Sequence, residues 1–176
     1  MKKIIAVLLM ISITLMYTNK TTEVLIPKEA IRFRIIANSN SIDDQKIKYL
    51  VRDEIEEEIM SDIEDVNDLS TVRQTLSQNT NKYSTLIEKL LSNNNISTPI
   101  SVNYGINYFP EKNYKGVKYS EGNYESLVVT LGEGIGNNWW CVLFPPLCLL
   151  EAEEEQAKEE VEYKFFVQEL IDKFFK

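Results

Sequence analysis

Residues 30–60 read AIRFRIIANSNSIDDQKIKYLVRDEIEEEIM, a stretch in which the hydrophobic period changes from two to between three and four. Over residues 30–37, apolar side chains alternate with Arg32 and Arg34, which is the pattern of a half-buried β-strand whose arginines share the outer face. The polar run NSNS at residues 38–41 then ends the strand. A strand that leads directly into a helix indicates a sheet covered by helices.

The second half of this stretch predicts an amphipathic helix that begins at Ser41 and ends near Ser61. Ser41 followed three residues later by Asp44 resembles a capping box, and acidic residues in the first turn suit the helix dipole. Charged residues fill the other faces of the helix. Apolar residues recur at helical spacing, at Ile47, Leu50, Val51, Ile55 and Ile59.

Two more helices are predicted further along the chain. One spans residues 68–91, where an apolar stripe is weakened at Asn79, and we expect it to lie antiparallel to the first helix on one face of the sheet. The other spans residues 152–175, with an acidic start and an apolar, aromatic-rich second half. Its aromatic stripe either packs in the core or forms a docking face for a partner or a membrane surface.

The sheet must draw its other strands from the region between these two helices. Alternating apolar residues predict strands near residues 100–109 and 124–132, with a weaker strand around Val117 and Tyr119. Together the patterns predict an α+β domain, in which a small, mostly antiparallel sheet packs with about three amphipathic helices. The order of the strands is not predicted.

The composition argues against several functional classes. Among 176 residues there is no His and there are two Cys, so the chain lacks an imidazole for a catalytic triad, a histidine pH switch or a zinc site. With 27 acidic against 19 basic residues and a net charge of -8, the chain should be repelled by nucleic acid. No loop carries a complete phosphate or dinucleotide motif, and we expect no cofactor, no metal and no small-molecule substrate.

The N-terminus has the form of an export signal. A basic start, Met1-Lys2-Lys3, precedes the uncharged run IIAVLLMISITLMY at residues 4–17. At about 1.5 Å per helical residue this run covers about 20 Å, less than the roughly 30 Å hydrocarbon layer, so it suits a signal peptide better than a stable membrane span. A buried core helix at the N-terminus is an alternative. We expect residues 1–20 to be a signal peptide or an N-terminal membrane anchor, with cleavage and anchoring both open, and residues 21–176 to be one extracytoplasmic domain.

The most unusual segment is LGEGIGNNWWCVLFPPLCLL at residues 131–150. Its glycines at alternate positions, Gly132, Gly134 and Gly136, permit positive φ or the close approach of another backbone. Such loops also bind phosphate, but this one lacks the Lys-Ser/Thr ending of a Walker loop. We interpret the glycines as a turn that presents the residues after it.

Two pairs of side chains follow the glycines. Trp139 and Trp140 either complete the core or form a rigid surface that faces a partner protein. After export, Cys141 and Cys148 can close a small disulfide loop, whereas a redox pair and two free buried thiols are the alternatives. The redox role is disfavoured because the spacing is not C-x-x-C and no neighbouring base would lower a thiol pKa.

Three features resemble the stage II sporulation protein R family of endospore-forming bacteria. They are the exported N-terminus, the block IPKEAIRFRIIANSNSIDDQKIKYLVRD at residues 26–53 and the block VTLGEGIGNNWWCVLFPPLC at residues 129–148. The resemblance implies a signalling protein secreted from the forespore into the space between the forespore and mother-cell membranes. There it would bind and activate a membrane-embedded aspartic protease that cleaves pro-sigma-E in the mother cell. The catalysis would be the partner's, and this chain would not be an enzyme.

The family pattern falls on residues that we interpret as partner-binding. In the first block these are Arg32, Arg34, Asn38, Ser39, Asp44, Gln45, Lys48, Arg52 and Asp53. In the second block they are Gly132, Glu133, Gly134, Gly136, Asn138, Trp139, Trp140, Pro145 and Pro146, together with the cysteines Cys141 and Cys148. The N-terminal segment is a candidate contact with the membrane surface.

Two other functional classes remain as alternatives. An exported peptidoglycan hydrolase could use carboxylates such as Glu133 and Glu151 as acid and base, and paired tryptophans can stack on sugars. Acidic residues are so abundant that two candidates carry little information, and no hydrolase motif accompanies them. An exported disulfide reductant would show itself through reactive thiols.

Overall fold

A computed structural model describes residues 24–66, 68–114, 117–148 and 160–175 of the chain. The elements follow one another in a strand, helix, strand, helix order. They are β1 (Val24–Leu25), β2 (Ile31–Ile36), α1 (Ile42–Ile63), α2 (Leu69–Gln78), α3 (Thr80–Asn93), β3 (Ile100–Phe109), β4 (Lys112–Tyr114), β5 (Val117–Tyr119), β6 (Gly122–Leu131), β7 (Asn138–Phe144) and α4 (Glu160–Phe175).

Four strands form the main sheet in the order β3-β6-β2-β7. The β3–β6 and β2–β7 pairs are antiparallel, whereas β2 and β6 are parallel. A parallel pair needs a long crossover, and here the three helices α1–α3 and the strands β3–β5 supply it. A smaller sheet has the order β1-β5-β4. The predicted α+β class with a mostly antiparallel sheet is thus confirmed, with four helices in the described residues.

The helices α1, α2 and α3 cover one face of the main sheet. They bury the odd-numbered residues of β2, as the period of two predicted. Burial of each large apolar side chain stabilises the fold by about 1.5–3 kcal/mol. The fully buried side chains of this layer include Phe33, Ile35, Val51, Ile55, Ile59, Leu76, Tyr83, Ile87, Leu127 and Val129.

The opposite face of β2 is covered as well, which corrects the expectation of a half-buried strand with exposed arginines. Arg32 is 2% exposed. Its guanidinium lies 3.4 Å from the centroid of the Tyr124 ring and donates a 3.3 Å hydrogen bond to the carbonyl of Ser120. A second apolar cluster, with Ile26, Val117, Val142, Leu147 and Val167, lies on this side of the molecule.

The helices differ from the predicted ones in two places. The single helix predicted for residues 68–91 is broken at Asn79, which ends α2 and precedes α3. The Asn79 side chain donates to the carboxylate of Asp62 on α1 at 2.9 Å, so a tertiary hydrogen bond stabilises the break. The C-terminal helix is described from Glu160, and the acidic start predicted from residue 152 lies outside the described residues.

The aromatic stripe of α4 is partly packed in the core and partly exposed. Phe174 and Phe175 pack against Phe144, with ring centroids 4.9 and 5.9 Å apart, whereas Phe165 is 74% exposed. In the part of the chain that the structure covers, no helix has both the length and the apolar character needed to cross a membrane. The predicted export segment at residues 1–20 lies outside the described residues.

Candidate functional site

The two sequence blocks meet at one end of the main sheet, where β2 leads into α1 and β6 leads into β7. The backbone N–H of Gly136 donates to the carbonyl of Ala37 at 2.9 Å, and the N–H of Ile135 donates to the carbonyl of Asn38 at 3.3 Å. We call the two segments joined here, residues 37–41 and 132–137, the interlock. Its two halves are almost a hundred residues apart in sequence.

Asparagine side chains of the first half of the interlock satisfy the backbone of the second. The side-chain oxygen of Asn38 accepts from the N–H of Glu133 at 2.9 Å. The side-chain oxygen of Asn40 accepts from the N–H of Asn137 at 2.7 Å. The turn between β6 and β7 therefore has few free backbone donors and a fixed shape.

Two glycines are required where the halves touch. A Cβ atom on Gly136 would lie within 3.0 Å of the Ser39 carbonyl oxygen, 2.6 Å from the carbonyl carbon of the same residue and 2.9 Å from the Cβ of Ala37. Gly132 has a φ of 58°, and a Cβ there would lie 2.6 Å from Cγ of Asn38. The first contact is with backbone, so it cannot be relieved by moving a side chain.

A carboxylate organises the first half of the interlock. Asp44 accepts hydrogen bonds from the Ser39 hydroxyl at 2.5 Å and from the Asn38 side-chain amide at 3.0 Å. These bonds, that from Ser39 first, lower the pKa of Asp44. The predicted helix cap is confirmed, since the Ser41 hydroxyl accepts from the Asp44 N–H at 3.1 Å. Asp44 bonds to Ser39 and Asn38, whereas in a capping box its carboxylate would accept from the N–H of Ser41.

Lys48 joins α1 to the interlock. Its ammonium donates to the Gln45 side-chain oxygen at 2.6 Å and to the carbonyl of Asn137 at 3.3 Å. The residue is 2% exposed, and in the described ranges no carboxylate forms an ion pair with it. Burial, and next the positive charge of Arg52, lower the pKa of Lys48. Gln45 in turn donates to the carbonyl of Ser39 at 2.8 Å.

Two apolar side chains that were not among the predicted site residues are exposed to solvent, one in the interlock and one directly after it. Ile135 at the turn is 71% exposed, and Ile42 at the start of α1 is 76% exposed. An apolar residue between two glycines in an otherwise polar turn was the available signal for Ile135. Fixed apolar side chains lose little entropy on binding, which suits them to contact a partner.

Trp139 and Trp140 lie in strand β7, which the sequence analysis did not predict, and therefore point to opposite faces of the sheet. Trp139 packs edge-on against Phe33 at 5.5 Å, on the helix side. Trp140 packs edge-on against Phe109 at 5.0 Å, on the other side, with the guanidinium of Arg34 at 5.6 Å. Each indole is half-buried, so each combines a core contact with an exposed edge. The two do not form one continuous surface.

The cysteines are paired. Cys141 in β7 and Cys148 form a disulfide with a Cα–Cα distance of 5.6 Å. The bridge closes the turn at Pro145 and Pro146, in which the N–H of Leu147 donates to the carbonyl of Val142 at 3.1 Å. The predicted structural disulfide is the state that the structure shows.

The two sequence blocks that meet in the interlock also lie within the range matched by a known protein family. The family model described as Stage II sporulation protein R matches residues 27–154, a range that contains both halves of the interlock. The chain belongs to the stage II sporulation protein R family. Stage II sporulation protein R of Bacillus subtilis (strain 168) is 38% identical over 141 residues, which are 80% of this chain and 63% of that protein. This chain thus spans less than two thirds of the length of that relative. No solved structure matches this chain.

Within the stage II sporulation protein R match, the structure brings together most but not all of the residues predicted to bind a partner. The interlock and its supports hold Asn38, Ser39, Asp44, Gln45, Lys48, Gly132, Glu133, Gly134 and Gly136, with Asn138 and the tryptophans directly following.

The remaining predicted residues lie elsewhere. Arg32 is in the core, and Arg52 forms an ion pair with its neighbour Asp53 at 2.6 Å. Pro145 and Pro146 lie in the disulfide turn.

The described residues include one of the two carboxylates proposed for a hydrolase. Glu133 is exposed at the turn, and Glu151, its proposed catalytic partner, lies outside the described residues. Across the ranges that the structure covers, no group of three or more His, Cys, Asp or Glu side chains is arranged to hold a metal ion. The site offers a turn of fixed shape with hydrogen-bonded supports.

Proposed function

We propose that this chain is a secreted signalling protein of endospore formation that binds and activates a membrane-embedded aspartic protease, and so triggers the processing of pro-sigma-E in the mother cell. In this proposal the chain itself is not an enzyme. Its membership of the stage II sporulation protein R family supports the assignment to sporulation.

The observation that carries the proposal is the interlock, which presents Ile135 and Ile42 on a rigid base. A ligand activates a protease only by binding the active arrangement more tightly than the inactive one. A hundredfold shift needs about 2.7 kcal/mol of differential affinity. Burial of one isoleucine is worth about 1.5–3 kcal/mol, so the two exposed isoleucines are sufficient if only the active arrangement buries them.

The half-exposed edges of Trp139 and Trp140 extend this surface along β7. Aromatic residues at the centre of an interface often supply much of the binding energy. Because the indoles point to opposite faces, a partner that contacts both must wrap the edge of the sheet. We therefore assign the isoleucines and the exposed edges of both tryptophans to contacts with one partner, which would wrap around the edge of the sheet.

The place of action also belongs to the proposal. Residues 1–20 would carry the chain across the forespore membrane, and residues 21–176 would act in the space between the two membranes. The segment would then be removed or would remain as a membrane anchor. The disulfide of Cys141 and Cys148 is consistent with an oxidising compartment.

The test is co-expression of this chain, the protease and pro-sigma-E in a host that does not sporulate, with precursor cleavage as the readout. We expect cleavage to depend on this chain, and comparison of forms with and without residues 1–20 shows whether export is needed. Absence of cleavage, with folded exported protein present, would refute the proposal. Peptidoglycan release lost in Glu133→Gln would then favour the hydrolase.

A matched pair of variants tests the surface. Ile135→Ser should reduce cleavage at least about tenfold, because it removes an apolar contact of about 1.5–3 kcal/mol. Ile106→Ser is the control, since Ile106 on β3 is 70% exposed and lies outside the interlock. Equal cleavage by the two variants would remove Ile135 from the binding surface.

A further inference from the structure

Strand β7 is an edge of the main sheet, with β2 as its neighbour in the described residues. An edge strand leaves backbone N–H and C=O groups without a partner strand, and proteins commonly cover or close such edges. Here the edge is closed at one end. The carbonyl of Val142 accepts a 3.1 Å hydrogen bond from the N–H of Leu147 in the disulfide turn.

That hydrogen bond also gives the direction of the backbone along β7. The Leu147 bond lies outside the β2–β7 ladder, so the backbone groups of Val142 point away from β2. Backbone groups alternate between the two edges of a strand. Those of Trp140 and Asn138 therefore face the same outer edge as Val142.

The other side of the ladder gives the same result independently. The carbonyl of Ala37 accepts from the N–H of Gly136, so Ala37 faces β7. By alternation Ile35 also faces β7, and it lies opposite Trp139 in the ladder. The next pair in the ladder, Arg34 and Trp140, is therefore a pair whose backbones do not hydrogen-bond to each other. The N–H and C=O groups of Trp140 are directed to the open edge.

A shallow cleft of about 480 Å³ lies along this open part of the edge. Its lining comes from β7 and the turn before it, at Gly136, Asn138 and Trp140, and from Pro110 and Lys112 across from them. Asn138 and Trp140, whose backbone groups face the open edge, thus both line the cleft. It does not overlap the part of β7 that the disulfide turn closes.

Two cations lie near the Trp140 ring in this cleft, although the protein as a whole is acidic, with a net charge of -8. The ammonium of Lys112 and the guanidinium of Arg34 lie 5.9 and 5.6 Å from the centroid of the Trp140 ring. Neither cation has an ion pair with a described carboxylate, and Nε of Arg34 is buried without a hydrogen-bond partner in the described residues. Glu111 in the cleft is paired with Lys118 at 3.5 Å.

We propose that this cleft binds an extended, acidic peptide segment of a protein partner by strand addition to β7. The main chain of the segment pairs with Asn138 and Trp140, and a carboxylate side chain meets Lys112 within the field of Arg34. The turn closed by the Cys141–Cys148 bridge limits pairing to the first half of β7 and so sets the register. This inference rests on the proposed function only in taking the partner to be a protein.

A peptide accounts for more of these features than an anionic lipid headgroup does. Both would satisfy the two cations, but a headgroup has no regular series of donors and acceptors to pair with an open strand edge. Strand addition uses the backbone groups of alternate residues, and the edge offers Asn138 and Trp140, two residues apart. The lipid is therefore an outcome that the test must separate.

The test uses the purified exported chain and a short capped peptide of alternating Glu and Val, with a Lys and Val peptide as its matched control. We expect the acidic peptide to shift the backbone amide resonances of Asn138 and Trp140 and to slow their hydrogen exchange. The basic peptide should do neither. Lys112→Glu should weaken binding about tenfold, whereas Lys89→Glu, the same charge change on the exposed side of α3, should leave it unchanged.

Three results would overturn the inference. They are no shift at Asn138 and Trp140 with the acidic peptide, equal binding of both peptides, and equal affinity of Lys112→Glu and Lys89→Glu. Binding of phosphatidylglycerol vesicles without binding of the peptide would identify a lipid-facing surface instead. None of these measurements involves the protease, so failure here leaves the co-expression experiment to decide the proposed function separately.

Discussion

Replacement of Gly136 by alanine introduces one methyl group at the contact between the halves of the interlock. The new Cβ would lie within 3.0 Å of the Ser39 carbonyl oxygen and 2.9 Å from the Cβ of Ala37, so the two backbones must separate by about half an ångström or more. That movement weakens two hydrogen bonds, from Gly136 to Ala37 and from Ile135 to Asn38. Each is worth about 0.5–1.5 kcal/mol, and overpacking adds about 1–3 kcal/mol. We expect a loss of about 3 kcal/mol in the free energy of unfolding.

Urea unfolding followed by tryptophan fluorescence measures this loss. With a slope of about 2 kcal/mol per molar urea, the midpoint of Gly136→Ala should fall by about 1.5 M. Gly105→Ala is the matched control, because the nearest atom to its new Cβ is Oδ1 of Asn103 at 3.7 Å, an ordinary contact. The control should lose no free energy of unfolding, because alanine in the middle of a strand is less destabilising than glycine. Midpoints within about 0.3 M of each other would refute the close contact of the two segments.

Two further predictions concern the disulfide and a buried tyrosine. Reduction of the Cys141–Cys148 disulfide should lower the free energy of unfolding by about 2.5 kcal/mol, the loop-entropy value for a closure of this length. The Tm should then fall by about 5–10 °C. A thermal scan with and without dithiothreitol measures this fall, and an unchanged Tm would contradict the prediction. Burial and the neighbouring carboxylate of Asp62 raise the pKa of Tyr83 above its usual 10.0. Above pH 10 the native state therefore keeps a proton that the unfolded state loses. The contribution of Tyr83 to the free energy of unfolding is complete below pH 10 and falls as the pH rises further. Urea unfolding at about pH 9 and pH 11 should show a decline that is smaller in Tyr83→Phe, and equal declines would contradict the assignment.

The elements that the sequence predicted correctly are those whose signals are local. The alternation in residues 30–37 gave β2 as Ile31–Ile36, and the Ser41 cap gave the start of α1. Both depend on the spacing of neighbouring residues. The exposure of Arg32 was wrong because its cover comes from aromatic residues on strands far along the chain, such as Tyr124.

Strand β7 was missed because it shows no alternation. The run NWWCVLF has bulky apolar residues on both faces, and each face has its own cover. Trp139 packs on Phe33 and Trp140 on Phe109, so the strand is covered on both sides. Periodicity alone cannot distinguish such a run from an apolar loop.

The candidate site was predicted in two pieces that the sequence could not join. Both blocks were selected separately, but the hydrogen bond from Glu133 to the Asn38 side chain spans 95 residues. The requirement for Gly136 likewise becomes apparent only when Ser39 is placed next to it. Ile135 was overlooked because its exposure follows from that contact and not from its neighbours in sequence.

The same contact links stability to partner recognition. The turn that carries Ile135 gets its shape from hydrogen bonds to Asn38 and Asn40, which lie between β2 and α1. These acceptors reach the turn only when β2 is paired with β7 in the assembled sheet. An unfolded or partly folded chain would therefore present a flexible turn, and binding would cost the entropy of ordering it. Under the proposed function, a partner that recognises the fixed position of Ile135 would therefore discriminate in favour of the folded chain.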